Sequence, residues 1–167
     1  CDDRGFAGRG PVRWPDVWVA TPVNNAINKV STSCQMLGKF PVAGNPDSLG
    51  FDGQNVWATG GTSNKVTKID GFDGSNKGEF DVASGTNDAV FDGRHIWVAK
   101  NPSATLTKLL ASDGQKIGDF PIGSRSYRAA SDSVFIFAAN HDDGTVSKLS
   151  VRDGSLQDTF AVGSMPN

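Results

Sequence analysis

The sequence predicts an all-β fold, a β-propeller built of four-stranded antiparallel blades, with about four blades in this chain. Three observations lead to this prediction. Aromatic, lysine and Asp-Gly positions recur at a spacing of 40 residues, and self-similarity at one period marks a repeat architecture. Each unit holds four short β-favouring runs, the content of a propeller blade. Of the 18 acidic residues, 17 are Asp, which favours turns, and one is Glu.

The 40-residue spacing is carried by three sets of residues. They are Phe40, Phe80, Phe120 and Phe160; Lys68, Lys108 and Lys148; and Trp57, Trp97 and Phe137. Trp18 and Lys29 lie one residue off this grid, because the stretch around Ser33 and Cys34 is one residue shorter. We expect the aromatic rings to pack between neighbouring blades. We expect the lysine stems to lie over a neighbouring blade with the charge in water.

The second unit shows the four predicted strands most clearly, at residues 48–51, 55–59, 65–69 and 78–82. Turn signals separate them, at Asp52-Gly53, Gly60-Gly61 and the segment 71–74. Asp-Gly between apolar runs predicts a tight hairpin of type I′, in which both central residues have positive φ. No run of ten or more residues has helical periodicity, so we expect almost no helix.

The blades are predicted at about residues 1–42, 43–82, 83–122 and 123–163, with 164–167 beginning a next unit, in a single propeller domain or partial propeller spanning 1–167. Residues 10–13 would form a poor first strand, interrupted by Pro11 and closed by Pro15, so the first 16 residues could be a degenerate strand, a tail or the edge of a missing blade. An open row of blades would expose two apolar faces. Four blades could close on themselves, two chains could form an eight-bladed ring, or the chain could be part of a longer one. We favour self-association or a partner chain.

The pattern FDG-x-x-(V/I)-W, then (V/L)-(T/S)-K-(I/L), then DG, then F-x-(V/I)-G resembles a bacterial 40-residue propeller repeat. It is the repeat of the YVTN-type surface-layer propellers, the YncE-like proteins and the streptogramin lyase family, which usually close rings of seven blades. The resemblance covers essentially the whole chain beyond its first 16 residues. The lyases imply carbon–oxygen elimination by a His with a nearby Glu on the channel face. Here Glu79, the only Glu, falls in an outermost strand, and neither His95 nor His141 is in a His-x-Glu or Glu-x-His arrangement.

Composition narrows the partners and the compartment. The formal charge is −2, with no basic face for nucleic acid. A hydrophobic fraction of 37% with 20 glycines predicts no membrane span. Cys1 and Cys34 could form a disulfide, Cys1 could carry a lipid as in processed bacterial lipoproteins, or both could be free thiols. The frequent export of proteins with this blade type favours an extracellular or periplasmic location.

The candidate ligand-binding residues are predicted on one rim of blade four: Arg125, Tyr127, Arg128, His141, Asp142 and Asp143. Strand order places two kinds of connection on that rim, the inter-blade loops (45–47, 86–88, 126–128) and the intra-blade loops (60–63, 100–103, 140–144). Arginine forks and an aromatic wall suit an anion or a sugar. The alternative is a solvated loop whose charges pair with each other. His141 with two carboxylates has too few ligands for a dedicated metal site, so no metal and no cofactor are predicted.

These observations favour a non-enzymatic binding or scaffold module that presents a loop-rimmed face to a protein partner, a small molecule or a glycan. We name no catalytic residue, because signatures such as Gly-x-Ser-x-Gly, HExxH and the phosphate-binding glycine loop are absent. His95, between an Asp-Gly turn and Ile96, is expected at the surface. The alternatives are a fragment of a streptogramin lyase-like enzyme and a purely structural subunit.

Overall fold

The computed structural model describes residues 16–82 and 85–166, which form four antiparallel sheets in chain order. The first holds β1 (Asp16–Thr21), β2 (Ala26–Ser31) and β3 (Met36–Pro41); the second holds β4 (Pro46–Phe51), β5 (Asn55–Gly60), β6 (Lys65–Asp70) and β7 (Asn76–Asp81). The third holds β8 (Thr86–Phe91), β9 (His95–Lys100), β10 (Thr105–Leu110) and β11 (Lys116–Pro121); the fourth holds β12 (Ser126–Ser131), β13 (Phe135–Asn140), β14 (Thr145–Ser150) and β15 (Leu156–Ala161).

Each sheet is a meander whose strands pair in sequence order, so the four sheets are blades one to four. Within the described residues the only helical segment is one 3₁₀ turn at Pro22–Asn24. The prediction of an all-β protein with about four blades is confirmed. Blade one has three strands in the described part of the chain; its expected first strand at residues 10–13, and Cys1, lie outside that part.

Neighbouring blades pack face to face through apolar cores, and each blade has two different faces. We call the side that carries the Trp and Phe of the repeat the aromatic face, and the opposite side the aliphatic face. Trp57 and Phe80 of blade two pack against Ile96, Val98 and Leu109 of blade three. The joints between blades one and two and between blades three and four are built alike. The aromatic rings therefore pack between sheets, as expected. Central strands such as β5 are buried on both faces, which explains their blurred alternation.

The Asp-Gly hairpins form, but the predicted type I′ geometry is wrong. Gly53 and Gly93 have φ of +91° and +102°, whereas their Asp neighbours do not have positive φ. The reason is the Asp carboxylate. Oδ1 of Asp52 accepts hydrogen bonds from the backbone N–H groups of Gln54 (2.9 Å) and Asn55 (2.6 Å). This side-chain turn leaves only one residue in the left-handed region.

The same aspartates also hold the tryptophans. The indole Nε1–H of Trp57 donates to Oδ2 of Asp52 at 2.8 Å, and that of Trp97 donates to Oδ2 of Asp92 at 2.7 Å. Burial alone would raise the pKa of Asp92, but the hydrogen bonds from Trp97 and from the backbone N–H groups of the turn lower it overall. A residue that serves the turn therefore also satisfies the only polar atom of a buried ring.

Three of the repeated lysines, Lys29, Lys68 and Lys108, cross from one blade to the next, and for them the expectation that the charge lies in water is wrong. Their ammonium groups donate to backbone carbonyls of the following blade's last turn. The Nζ–O distances are 2.8 Å from Lys29 to Phe72, 2.7 and 2.9 Å from Lys68 to Ala111 and Ser112, and 2.7 and 3.4 Å from Lys108 to Val151 and Arg152. Lys68 and Lys108 are only 6% and 2% exposed, and burial lowers the pKa of Lys108. The carbonyl oxygens replace the lost water.

Phenylalanine completes each joint by packing on a glycine of that same turn. A Cβ at Gly74, Gly114 or Gly154 would overlap the ring of Phe40, Phe80 or Phe120 of the preceding blade. These three glycines also have positive φ, between +75° and +78°. Two constraints therefore require glycine at these positions, the backbone conformation and the space.

Candidate functional site

The expected rim is present at one end of the blades. The backbone N–H that follows the second strand of a four-stranded blade donates to the carbonyl just before its innermost strand. These bonds join Gly61 to Asn45 (2.8 Å), Asn101 to Gly85 (2.7 Å) and His141 to Arg125 (3.2 Å). Inter-blade and intra-blade connections therefore meet at the same end, which we call the loop rim.

The segments expected as inter-blade loops are largely strand instead. Pro46, Thr86 and Ser126 begin β4, β8 and β12. Pairing shifts register within two or three residues of each start. Such bulges keep polar residues within a sheet where their sequence alone suggests a loop.

Four of the six predicted site residues come together on the loop rim of blade four. Arg125 Nη2 donates to the Tyr127 hydroxyl at 2.9 Å, and Arg125 Nη1 lies 3.6 Å from Asp142 Oδ1. The rings of Tyr127 and His141 meet edge to face with centroids 5.1 Å apart. His141 Nδ1 lies 3.0 Å from Asp142 Oδ1. We call Arg125, Tyr127, His141 and Asp142 the rim cluster.

The other two predicted residues have different partners. Arg128 extends toward blade three, with Nη1 3.8 Å from Asp88 Oδ1 and 3.4 Å from the Asn87 carbonyl oxygen. Asp143 Oδ2 accepts the backbone N–H of Ser124 at 2.7 Å and so fixes the loop before β12. The separation arises because Arg125 precedes the strand, whereas Arg128 lies inside its bulged start.

Backbone conformation distinguishes Arg125 within the rim cluster. Its φ is +52°, and Gly85 at the same place in blade three has φ +77°. The left-handed region costs a residue with a Cβ about 1 kcal/mol or more. Here an arginine takes a position whose backbone suits glycine.

Two polar groups that link strands were not predicted from the sequence. Asp88 accepts from Ser48 Oγ (2.7 Å) and from the backbone N–H of Ala129 (3.0 Å), and so joins the innermost strands of three blades. Lys100 is fully buried, and its Nζ lies 2.7 Å from Asp119 Oδ1. The departure of Lys100 from Gly60 and Asn140, its counterparts 40 residues away, was the available signal.

The pKa of Asp119 is strongly lowered. Burial works against this shift, but hydrogen bonds from Lys100, Lys116 and Thr107 outweigh it. Lys100 thus has a carboxylate that stays ionised and balances its buried charge.

His95 does not lie at the surface as expected. Its side chain is 13% exposed, and Nδ1 lies 3.1 Å from Asp92 Oδ2 at the tight-turn end of blade three. Glu79 is on β7, and its Oε2 lies 3.7 Å from Nζ of Lys65 on β6.

Across residues 16–82 and 85–166, no group of three His, Cys, Asp or Glu side chains is placed to hold a metal ion. The same ranges contain no helix long and apolar enough to cross a membrane. Cys34 is an exposed free thiol.

Comparison with known proteins defines the fold class. The sequence matches no protein-family profile and no curated protein. Similar solved structures include Kuenenia stuttgartiensis hydrazine synthase (13% identity, TM-score 0.79, 89% of this chain and 46% of that one) and a streptogramin B lyase (14%, 0.75, 91% and 53%). Another is U3-55K (16%, 0.75, 87% and 48%).

These likenesses show a β-propeller fold, and this chain spans about half the length of the structures that it resembles. Because propellers host many unrelated activities, the fold leaves the function to be argued from the site.

Proposed function

We propose that this chain is a non-enzymatic β-propeller module of the YVTN or YncE-like blade type, acting outside the cytoplasm. Its loop rim binds an anionic small molecule, a glycan or an acidic segment of a protein partner. Its open blade faces complete a ring by self-association or with a partner chain. The rim cluster is the observation that carries the binding role.

The chemistry of the rim cluster supports an anionic or hydroxyl-rich ligand. The Arg125 side chain is 47% exposed, so its guanidinium can turn from Asp142 toward a ligand oxygen. Tyr127 and His141 form an aromatic corner beside it, the kind of wall on which a sugar ring packs.

Binding is best tested with Arg125→Gly and His141→Ala on a glycan array and by titration with inorganic sulfate. Because φ +52° suits glycine, Arg125→Gly should remove the guanidinium without unfolding the blade. We expect at least about a tenfold loss of affinity, the range of one charge-assisted hydrogen bond. Arg94→Ala, an exposed arginine at the tight-turn end, is the matched control and should bind normally. Unchanged binding in both rim variants would discard the rim cluster as the site.

The alternative is a piece of a streptogramin lyase-like propeller that eliminates across a carbon–oxygen bond. The streptogramin B lyase likeness raises it at the level of fold. The resemblance to that family implies a His beside a Glu. In this chain Glu79 pairs with Lys65, and both histidines lie against an Asp. Elimination activity that emerges when a further blade segment is supplied would favour this alternative over a binding module.

A further inference from the structure

Every joint between blades in this chain has the same direction. The aromatic face of one blade packs on the aliphatic face of the next, and the lysine of the first donates to the last turn of the second. The phenylalanine of the first covers the glycine of that turn. Each blade therefore has one face that supplies the lysine and the phenylalanine, which we call the giving face, and one face whose last turn contacts them, which we call the receiving face.

The aromatic face of blade four gives the same groups and has no receiver among the described residues. Phe160 and Val162 are 43% and 54% exposed, whereas Val82, the counterpart of Val162, is buried. Lys148 holds the position of Lys108, but its Nζ lies over the ring of Phe135, 3.8 Å from the centroid. The lysines of the other three blades also lie over a ring of their own blade, but they donate in addition to carbonyl oxygens of the next blade, and Lys148 has no such acceptor among the described residues.

Among residues 16–82 and 85–166, the aliphatic face of blade one is the receiving face that no other blade covers. Val17 and Val19 are 54% and 42% exposed. Their counterparts in blade two, Val56 and Ala58, are covered by blade one and are buried. These two apolar side chains are exposed at positions where the corresponding residues of every other blade are buried.

We propose that the aromatic face of blade four binds the aliphatic face of blade one of a second copy of this chain, head to tail. This inference deepens the self-association in the proposed function and rests on it. The apolar residues of the two faces correspond to those of the internal joints. One face is aromatic and the other aliphatic, as in every internal joint. Lys148 would donate to the carbonyls of Thr32 and Ser33 of the second copy, which correspond to the acceptors of Lys108. Two such contacts would close a ring of eight blades, because a heterologous contact forms a ring when its rotation closes.

One residue of blade one departs from the receiving pattern, and it provides the probe. Cys34 has φ +63°, and its N–H donates to the Ser31 carbonyl at 2.9 Å, as Gly74 does to Asp70. It therefore stands where the other blades have the glycine that the phenylalanine covers. Its Cβ prevents Phe160 from packing as Phe80 packs on Gly114. The contact between copies should thus be weaker than the joints within the chain.

A disulfide trap tests the contact directly. Phe160→Cys, made with Cys1→Ser, removes the ring that would collide with the Cβ of Cys34. It also places a thiol opposite the native Cys34 of the second copy. Under mild oxidation we expect a disulfide-linked product containing two or more chains. The same protein with Cys34→Ser should remain as single chains. Leu156→Cys, at the other end of the same strand, is the control for random collision and should give little product.

Two outcomes would overturn the proposal. The first is the absence of a linked product from Phe160→Cys while circular dichroism shows a folded protein. The second is a product that survives Cys34→Ser, since it would join two introduced thiols across a symmetric contact. Binding of sulfate or glycans at the rim should be unaffected by either outcome, so the rim can fail or succeed separately.

A second variant avoids any change to the aromatic face. Cys34→Gly removes the obstructing Cβ, so the dissociation constant measured by sedimentation should fall at least about fivefold. An unchanged or raised dissociation constant would show that blade one is not the receiver and would favour a blade of a longer chain or of another protein.

Discussion

The joint between blades three and four and the open aromatic face of blade four contain the same residues in different surroundings. Lys108 is buried and donates to two carbonyls of the next blade, whereas Lys148 lies against a ring of its own blade. Phe120 packs on Gly154, and Phe160 is exposed. These residues recur at the same position in each blade, and they form one half of a joint. Their contribution to stability depends on the blade that receives them.

The largest effect should come from the buried indole that this comparison places at the centre of a joint. Trp97→Phe removes ring volume from a fully buried site and takes the indole donor from Oδ2 of Asp92, which keeps only His95 Nδ1 at 3.1 Å. We expect a loss of about 3 kcal/mol in the free energy of unfolding, measured by urea denaturation. The converse change, Phe137→Trp on the open face with Asp132 five residues before it, should alter stability by less than about 1 kcal/mol. Equal costs for the two changes would contradict the distinction between a joint and an open face.

The Lys100–Asp119 pair should come next; it links two strands within blade three and has no counterpart at Gly60 or Asn140. Asp119→Asn leaves the buried ammonium of Lys100 without a carboxylate, and we expect a loss of about 2 kcal/mol at neutral pH, reduced by the 37% exposure of the Asp119 side chain. The folded pKa of Asp119 lies below its ordinary value of 3.8. Its contribution is therefore present above that value and is lost as the pH falls below it. The wild type should lose more stability than Asp119→Asn between pH 5 and about pH 2; parallel curves would count against the pair.

The lysines test the comparison most specifically. Lys108→Met should cost about 1–2 kcal/mol, because it leaves the Val151 carbonyl without its donor. Lys148→Met should cost less than about 0.5 kcal/mol in dilute solution, where the open face has no receiver. Its cost should grow with protein concentration if a second copy supplies the carbonyls. A cost for Lys148→Met as large as that for Lys108→Met at the lowest concentration would refute this view of blade four.

The smallest effect concerns the turn that distinguishes blade four. Ser133 has φ +71° at the place where Gly53 and Gly93 stand in blades two and three. Ser133→Gly should stabilise the protein by about 0.5–1 kcal/mol by removing the left-handed penalty, less the entropy that glycine adds to the unfolded chain. Gly53→Ser should destabilise blade two by a similar amount in thermal unfolding. A loss of stability in Ser133→Gly would mean that the serine side chain has another role.

Local sequence predicted the blades because spacing and turn residues are local signals. Hairpin positions followed from Asp-Gly pairs, but the hydrogen bond that the Trp57 indole donates to Asp52 did not. The hydrogen bonds that Asp52 accepts from backbone N–H groups are enough to explain an Asp at this turn, so the turn alone gives no sign of the second bond, to the indole. The constant separation of five residues between that Asp and its Trp was the available signal. The acceptors of Lys68 lie 43 and 44 residues away, so they depend on how one blade is rotated against the next.

The candidate site was also predicted only in part, because strand order can be read from the sequence and side-chain direction cannot. Strand order correctly brought Arg125 and His141 to one rim, since topology fixes which loops share an end. Sequence proximity also grouped Arg128 with them, but the bulge at the start of β12 directs it toward Asp88. Side-chain direction in a bulged strand cannot be derived from alternation.

Sedimentation equilibrium of the wild-type chain over a range of concentrations tests most directly whether two copies associate through the joint used within each chain. We expect a reversible particle with the mass of two 17.6-kDa chains, shifted toward the single chain by Lys148→Met and toward the pair by Cys34→Gly. A mass of one chain at every concentration, unchanged by both substitutions, would contradict it.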